Sequence, residues 1–141
     1  MIRHASMSVF AALLSLSLLP GSTYALEGSY AETTTATELM SEDLASDPAY
    51  EVKAQLYTIP ANTTLPWHTH PGAQEIVYVL RGPFIVEVEG EGETKLATGG
   101  NFHLAPDLVH RGRNPSTDHT AKLYVVRIKP KDAPLVKEVD R

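Results

Sequence analysis

Pro66-Trp67-His68-Thr69-His70-Pro71-Gly72-Ala73-Gln74-Glu75 is the stretch on which the reading of this chain turns. In a β-strand, alternate side chains point to the same face. His68 and His70 therefore present both imidazoles toward one point. Pro71-Gly72 turns the chain, and Glu75 falls on the next strand, where its carboxylate can meet them. His110 (on a separate strand, beyond a bend at Pro106) is the fourth candidate. Three neutral imidazoles and one carboxylate suit one divalent transition metal: Fe, Mn, Ni, Cu, Co or Zn. Such a set leaves open positions on a five- or six-coordinate ion, where a small molecule can bind.

Working outward, the sequence reads as short strands separated by turn residues. Val52–Ile59 is closed by Pro60, and Gln74–Leu80 is rich in Ile, Val and Tyr. Gly82-Pro83 turns the chain into Phe84–Glu89, which alternates apolar and acidic residues. Gly90 and Gly92 mark a turn, Thr94–Thr98 follows, and Gly99-Gly100 leads into Asn101–Leu104. Ala121–Lys129 is the last strong strand, ended by Pro130. No segment reads as a helix of more than two turns. About eight short strands predict an all-β sandwich or barrel. Ile76–Leu80 and Leu123–Val126 are apolar on both faces, which predicts strands covered on both sides, between sheets or at a subunit contact.

The two ends read differently. Arg3 and His4 precede an apolar run, Val9–Leu19; Pro20-Gly21 break it, and Thr23-Tyr24-Ala25 supplies small residues. This is the layout of a secretory signal peptide, residues 1–25, cleaved after Ala25. The run falls well short of the ~20 residues that span a bilayer, so the expected protein is periplasmic or secreted and carries no membrane anchor once cleaved. Residues 26–50 form an acidic, Thr-rich arm with a possible edge strand near 34–40. Residues 51–135 form the barrel, and 136–141 a C-terminal tail.

The net charge of −5 and the scattered Lys and Arg exclude nucleic acid as a partner, because that surface needs a basic patch. The chain has no cysteine, which excludes disulfides, thiolate nucleophiles and thiolate metal sites. No Gly-x-Ser-x-Gly elbow or phosphate-cradling glycine loop is present.

These residues resemble the cupins from about Val52 to Pro130. His68, His70, Glu75 and Gly82 match the first cupin motif, and Gly99, His110 and Asn114 match the second. Asn62 stands where the first motif has its leading glycine; Ala105 and Asp107 replace the proline and glycine of the second. Asp107 tolerates left-handed backbone better than most residues. The resemblance implies a double-stranded β-helix, the jelly-roll barrel, often dimeric, with His68, His70, Glu75 and His110 as metal ligands.

Around that core, Asn114 shares the parity of His110 and is placed to brace the site. Arg111 and Arg113 have the opposite parity and face away. Trp67 points opposite to His68, outside the pocket. His103 faces either the cavity or the surface, Gln74 adjoins Glu75, and His119 reads as a solvated loop residue. Tyr57 and Tyr78 read as core.

Three functions fit. One is an enzyme, with a quercetinase-like dioxygenase or a metal-assisted isomerase or decarboxylase as its concrete forms; Glu75 would then be the catalytic base on an enol or phenol proton. The others are a non-catalytic periplasmic protein that binds a small ligand or metal, and an interaction module with a structural ion. A homodimer that takes a small-molecule ligand is expected in the first two. Fold alone does not choose among these.

Overall fold

The computed structural model describes residues 34–141. The signal segment and the leading part of the arm lie outside the described residues. Those described form strands and turns without a helix.

Two antiparallel sheets face one another. The first contains five strands: β1 (Thr35–Asp43), β2 (Tyr50–Ile59), β5 (Gln74–Arg81), β8 (Asn101–Leu104) and β10 (Ala121–Pro130), in the order β1-β2-β10-β5-β8. The second contains β4 (His68–Thr69), β6 (Phe84–Val88), β7 (Gly92–Leu96), β9 (His110–Asn114) and β11 (Lys137–Glu138), in the order β11-β4-β9-β6-β7. The short β3 (Thr63–Thr64) pairs with β9 off this path. Consecutive strands repeatedly cross between the sheets, as a jelly-roll barrel requires. The expected strands are present with ends shifted by one or two residues, and the edge strand anticipated near 34–40 is β1.

The core fills the space between the sheets with Tyr57, Ile59, Leu65, Val77, Val79, Phe84, Val86, Leu104, Leu123 and Val125. These come from the inward parity of each strand. On β5, Glu75, Val77 and Val79 are buried and Ile76, Tyr78 and Leu80 are exposed. On β10, alternate residues from Ala121 to Lys129 are buried. Among the described residues, β5 and β10 are therefore not covered on both faces: Ile76 is 49% and Tyr78 44% exposed. The reading of Tyr78 as core is corrected with them. Only one face of each sheet meets the other, so the second apolar face lies on the outside.

Two turns depart from ordinary backbone where the motifs do. Asn62 and Asp107 both adopt positive φ, 54° and 64°. Asn and Asp tolerate this conformation best among residues with a side chain, which is why they can stand at the turn positions of missing glycines. The Asp107 carboxylate also accepts the Gly72 N–H at 3.0 Å, tying the bend before β9 to the turn after β4.

Gly112 is required for a different reason. A Cβ built there lies 2.4 Å from Phe84 Cζ, so the Phe84 ring occupies the side-chain position. Gly112→Ala should displace that ring and destabilise the barrel by about 1–3 kcal/mol, read from the urea unfolding midpoint.

Candidate metal centre

Two cross-strand pairs build the centre, one from each sheet. In the second sheet His68 on β4 lies directly opposite His110 on β9. In the first, Glu75 on β5 lies directly opposite Arg127 on β10. His70 sits in the turn that carries the chain from one sheet to the other. All five side chains are buried.

The three histidines converge. Their ring centroids are 4.3 to 5.1 Å apart, and one nitrogen from each lies within 4.8 Å of the others. Each ring is oriented by a backbone carbonyl. His68 Nδ1 donates to Pro66 O at 2.8 Å, His110 Nδ1 to Leu108 O at 2.9 Å, and His70 Nδ1 to Leu135 O at 2.6 Å. A carbonyl only accepts, so these contacts place a proton on each Nδ1 and leave Nε2 as the nitrogen each ring offers; on His68 and His110, which burial keeps neutral, it carries a lone pair.

Glu75 stands beside this group. Its Oε2 lies 2.9 Å from His70 Nε2 and 2.5 Å from Arg127 Nη2. The Arg127 guanidinium is held in turn by Gln55 Oε1 at 2.8 Å and the Tyr57 hydroxyl at 2.9 Å. Burial opposes ionisation of Glu75, but Arg127 and then the histidines outweigh it and hold its carboxyl well below the usual range. The same Nη2 lies 3.4 Å from His70 Nε2, so the guanidinium stands against both the carboxylate and the imidazole. One nitrogen from each of the three histidines lies within 4.8 Å of the others, a spacing one divalent ion could bridge, with the Glu75 carboxylate beside that group.

Burial, followed by the neighbouring His110 and His70, lowers the pKa of His68 to about 2. Burial likewise lowers that of His110. Both rings are neutral throughout the physiological range.

The remaining space is narrow. The cavity beside the histidines measures about 30 Å³ and is walled by apolar residues, among them Leu65, Phe84, Val86, Leu104 and Leu123. At ~10–15 Å³ per water position, it holds about two waters.

The other residues singled out from sequence separate from the centre. His103 is exposed on β8 opposite Ile76, and Gln74 is exposed on β5, so neither reaches the cavity. Arg111 and Arg113 pair with Glu87 and Glu93. Trp67 lies beneath the guanidinium of Arg111. The Asn114 amide donates to the carbonyls of Ile59, Pro60 and His119, bracing loops rather than the histidines. His119 is not a freely solvated loop residue. Its Nε2 donates to Gly82 O at 2.8 Å and its Nδ1 lies 2.7 Å from Asp118 Oδ1, so it fastens two loops together.

Arg127 was not anticipated. Strand Ala121–Lys129 is apolar on both parities over Leu123–Val126, which hides which side Arg127 faces. Only the structure shows that Gln55, Tyr57 and Arg127 fall on the same parity as their strands' buried apolar residues.

The cupin domain family matches residues 55–127. Among solved structures, the DMSP lyase DddQ from Ruegeria pomeroyi superposes with a TM-score of 0.65 at 18% identity, covering 84% of this chain and 61% of that one. The polyketide cyclase RemF from Streptomyces resistomycificus gives 0.62 at 20% identity, covering 86% and 81%. The Cnp3 cupin domain of Schizosaccharomyces pombe gives 0.58 at 17% identity, covering 68% and 64%. This chain thus spans under two thirds of the Cnp3 and DddQ chains. No curated protein sequence matches.

Two outcomes follow from the buried charges. Arg127→Met leaves the Glu75 carboxylate buried without its counter-charge and should cost about 3–5 kcal/mol. Adding Glu75→Gln should restore much of that loss in denaturation experiments. The second concerns acid. Below pH ~6.5 the unfolded chain takes up a proton at His68 that the folded metal-free chain refuses, so stability falls as pH falls. Between pH 6.5 and 5 that loss is about 2 kcal/mol from His68 alone, measurable as a drop in Tm, with Glu75 adding to it below about pH 4.5.

Proposed function

The chain belongs to the cupin family, and from that footing we propose that it is an exported metal-dependent enzyme acting on a small oxygen-bearing organic molecule. In this reading His68, His70 and His110 hold one divalent ion, and Glu75 completes the set from the Arg127 side. The observation that carries it is the triple orientation: three Nδ1–H groups are fixed on carbonyls, and one nitrogen of each ring lies within 4.8 Å of the others. Three imidazoles buried beside an ionised carboxylate are poorly explained as packing alone.

A bound divalent ion would supply Lewis acidity, polarising an enol or carbonyl oxygen of the ligand. The chain's own groups do the rest. Glu75, kept anionic by Arg127, is the base able to take a proton from the carbon or oxygen next to that polarised group. Gln55 and Tyr57 fix Arg127 so that the carboxylate does not swing away. The apolar walls exclude bulk water and strengthen each of these interactions. With space for only about two waters inside, the reacting end of the ligand is small and any larger remainder lies at the mouth of the barrel.

An isomerase or lyase type of proton transfer suits this arrangement. DddQ and RemF, a lyase and a cyclase by name, support an enzymatic use of such a fold. The quercetinase-like dioxygenase is the redox form of the same reading and needs Fe, Mn, Ni or Cu in the site. A periplasmic metal or ligand carrier is the second reading, favoured by the small cavity. We also take the working form to be a homodimer, and assign its contact to the outer face of the five-stranded sheet, where Ile76, Tyr78, Leu80 and Tyr124 are exposed.

The decisive experiment is elemental analysis of untagged protein beside the double variant His68→Ala, His70→Ala. The wild type should carry about one equivalent of transition metal, and the variant none while keeping its β-sheet circular dichroism. Equal metal content in both would sink the ligand assignment. Iron, manganese, nickel or copper would favour O₂ uptake with enediols or flavonols, and zinc the proton-transfer form.

A further inference from the structure

The three histidine rings are not oriented in the same way. Pro66 and Leu108, which orient His68 and His110, lie two residues before the rings they serve. Each local turn therefore carries its own carbonyl. Leu135, which orients His70, lies 65 residues away in the sequence, and its contact is the shortest of the three at 2.6 Å. His70 depends on a segment at the other end of the chain.

That segment is docked by several independent contacts. β11 pairs antiparallel with β4, Lys137 opposite Thr69 and Glu138 opposite His68. The Val139 N–H donates to Trp67 O at 2.8 Å, on the residue just before His68. The Val136 side chain packs against the core. Arg141 places its guanidinium 4.9 Å from the centroid of the Trp67 ring and pairs with Glu89. The segment lies beyond residue 127, where the match to the family ends. It runs along the edge of the strand that supplies one ligand and orients another.

We propose that residues 135–141 are a working part of the metal centre: docked on β4, they set the ring of His70 for the ion, so that metal affinity depends on their docking. Leu135 is a positioning residue acting through its backbone carbonyl. A carbonyl on Nδ1–H fixes the tautomer and the tilt of the ring and makes Nε2 a better donor. With the segment undocked, His70 would lose its partner and share its lone pairs among several orientations. The inference rests on the metal reading above.

The test is a titration of the protein with Zn²⁺ against a chromophoric chelator, on the full chain and on a chain ending at Pro134. The truncation should weaken Zn²⁺ binding roughly 10–100-fold while the β-sheet circular dichroism persists. On a His70→Ala background the same truncation should cost little further affinity, because the ring it serves is gone. Equal affinity with and without the segment overturns the proposal, and so does an equal loss whether or not His70 is present.

A second measurement needs no variant. Coupling between sites is reciprocal, so Zn²⁺ must favour the docked segment and slow hydrogen exchange of the Val139 amide in the intact chain. Unchanged exchange at saturating Zn²⁺ overturns the proposal even if the truncated chain fails to fold. An intact chain that binds no Zn²⁺ overturns the metal reading itself; one that binds it with indifference to the segment overturns only this inference.

Discussion

The ion pair between Glu75 and Arg127 is the constraint on which the rest of the interior depends. A carboxylate placed alone in an apolar barrel would be protonated or would disrupt the fold. Here the antiparallel register sets a guanidinium directly across from it, and Gln55 and Tyr57 on β2 hold that guanidinium in place. One strand thus supplies the acid, its neighbour the counter-charge, and the next strand the hydrogen bonds that fix the counter-charge. The histidines on the facing sheet complete the arrangement by remaining neutral, so that burial asks nothing further of them until a cation arrives.

This division of charge has a chemical consequence. Were Glu75 neutral, it would be a hydrogen-bond donor and a weak ligand. Held anionic, it stands beside the three histidines, and together these groups would suit a borderline divalent cation. A positive guanidinium behind the carboxylate also limits how much charge the site gives to a bound ion. A bound ion would keep more of its Lewis acidity there than beside an unaccompanied carboxylate. Arg127 is thereby part of the electronic environment of the centre although it contributes no lone pair.

Much of the barrel and most of the centre were legible in the residues. Alternation placed β6, β-branched and aromatic composition placed β5 and β10, and the turn residues at 82–83, 90–92 and 99–100 separated the strands. His68 and His70 could be placed on one face because their spacing respects the period of a strand, and the structure gathers them with His110 while Glu75 stands beside the group. What escaped had no period to read. β11 is two residues long and exposed, and its place is set by a vacant edge on β4 rather than by its own composition. Arg127 sat in a strand apolar on both faces, so parity gave no preference. His119 looked solvated because a loop histidine surrounded by Ser, Thr and Asp usually is; its anchor, Gly82 O, is 37 residues distant.

The same distinction between local and distant causes orders the site. His68 and His110 are oriented within their own turns, so these two rings are set once the sheet forms. Glu75 requires the pairing of β5 with β10, and His70 requires the chain to return to β4 after β10 is complete. Ligands that depend on successively more distant contacts become correctly placed only when the whole barrel is closed. A centre built this way would bind an ion weakly in any partly folded state and tightly in the finished one, which would couple metal binding to completion of the fold. That coupling would make the last-placed histidine the one through which the rest of the molecule can alter the centre.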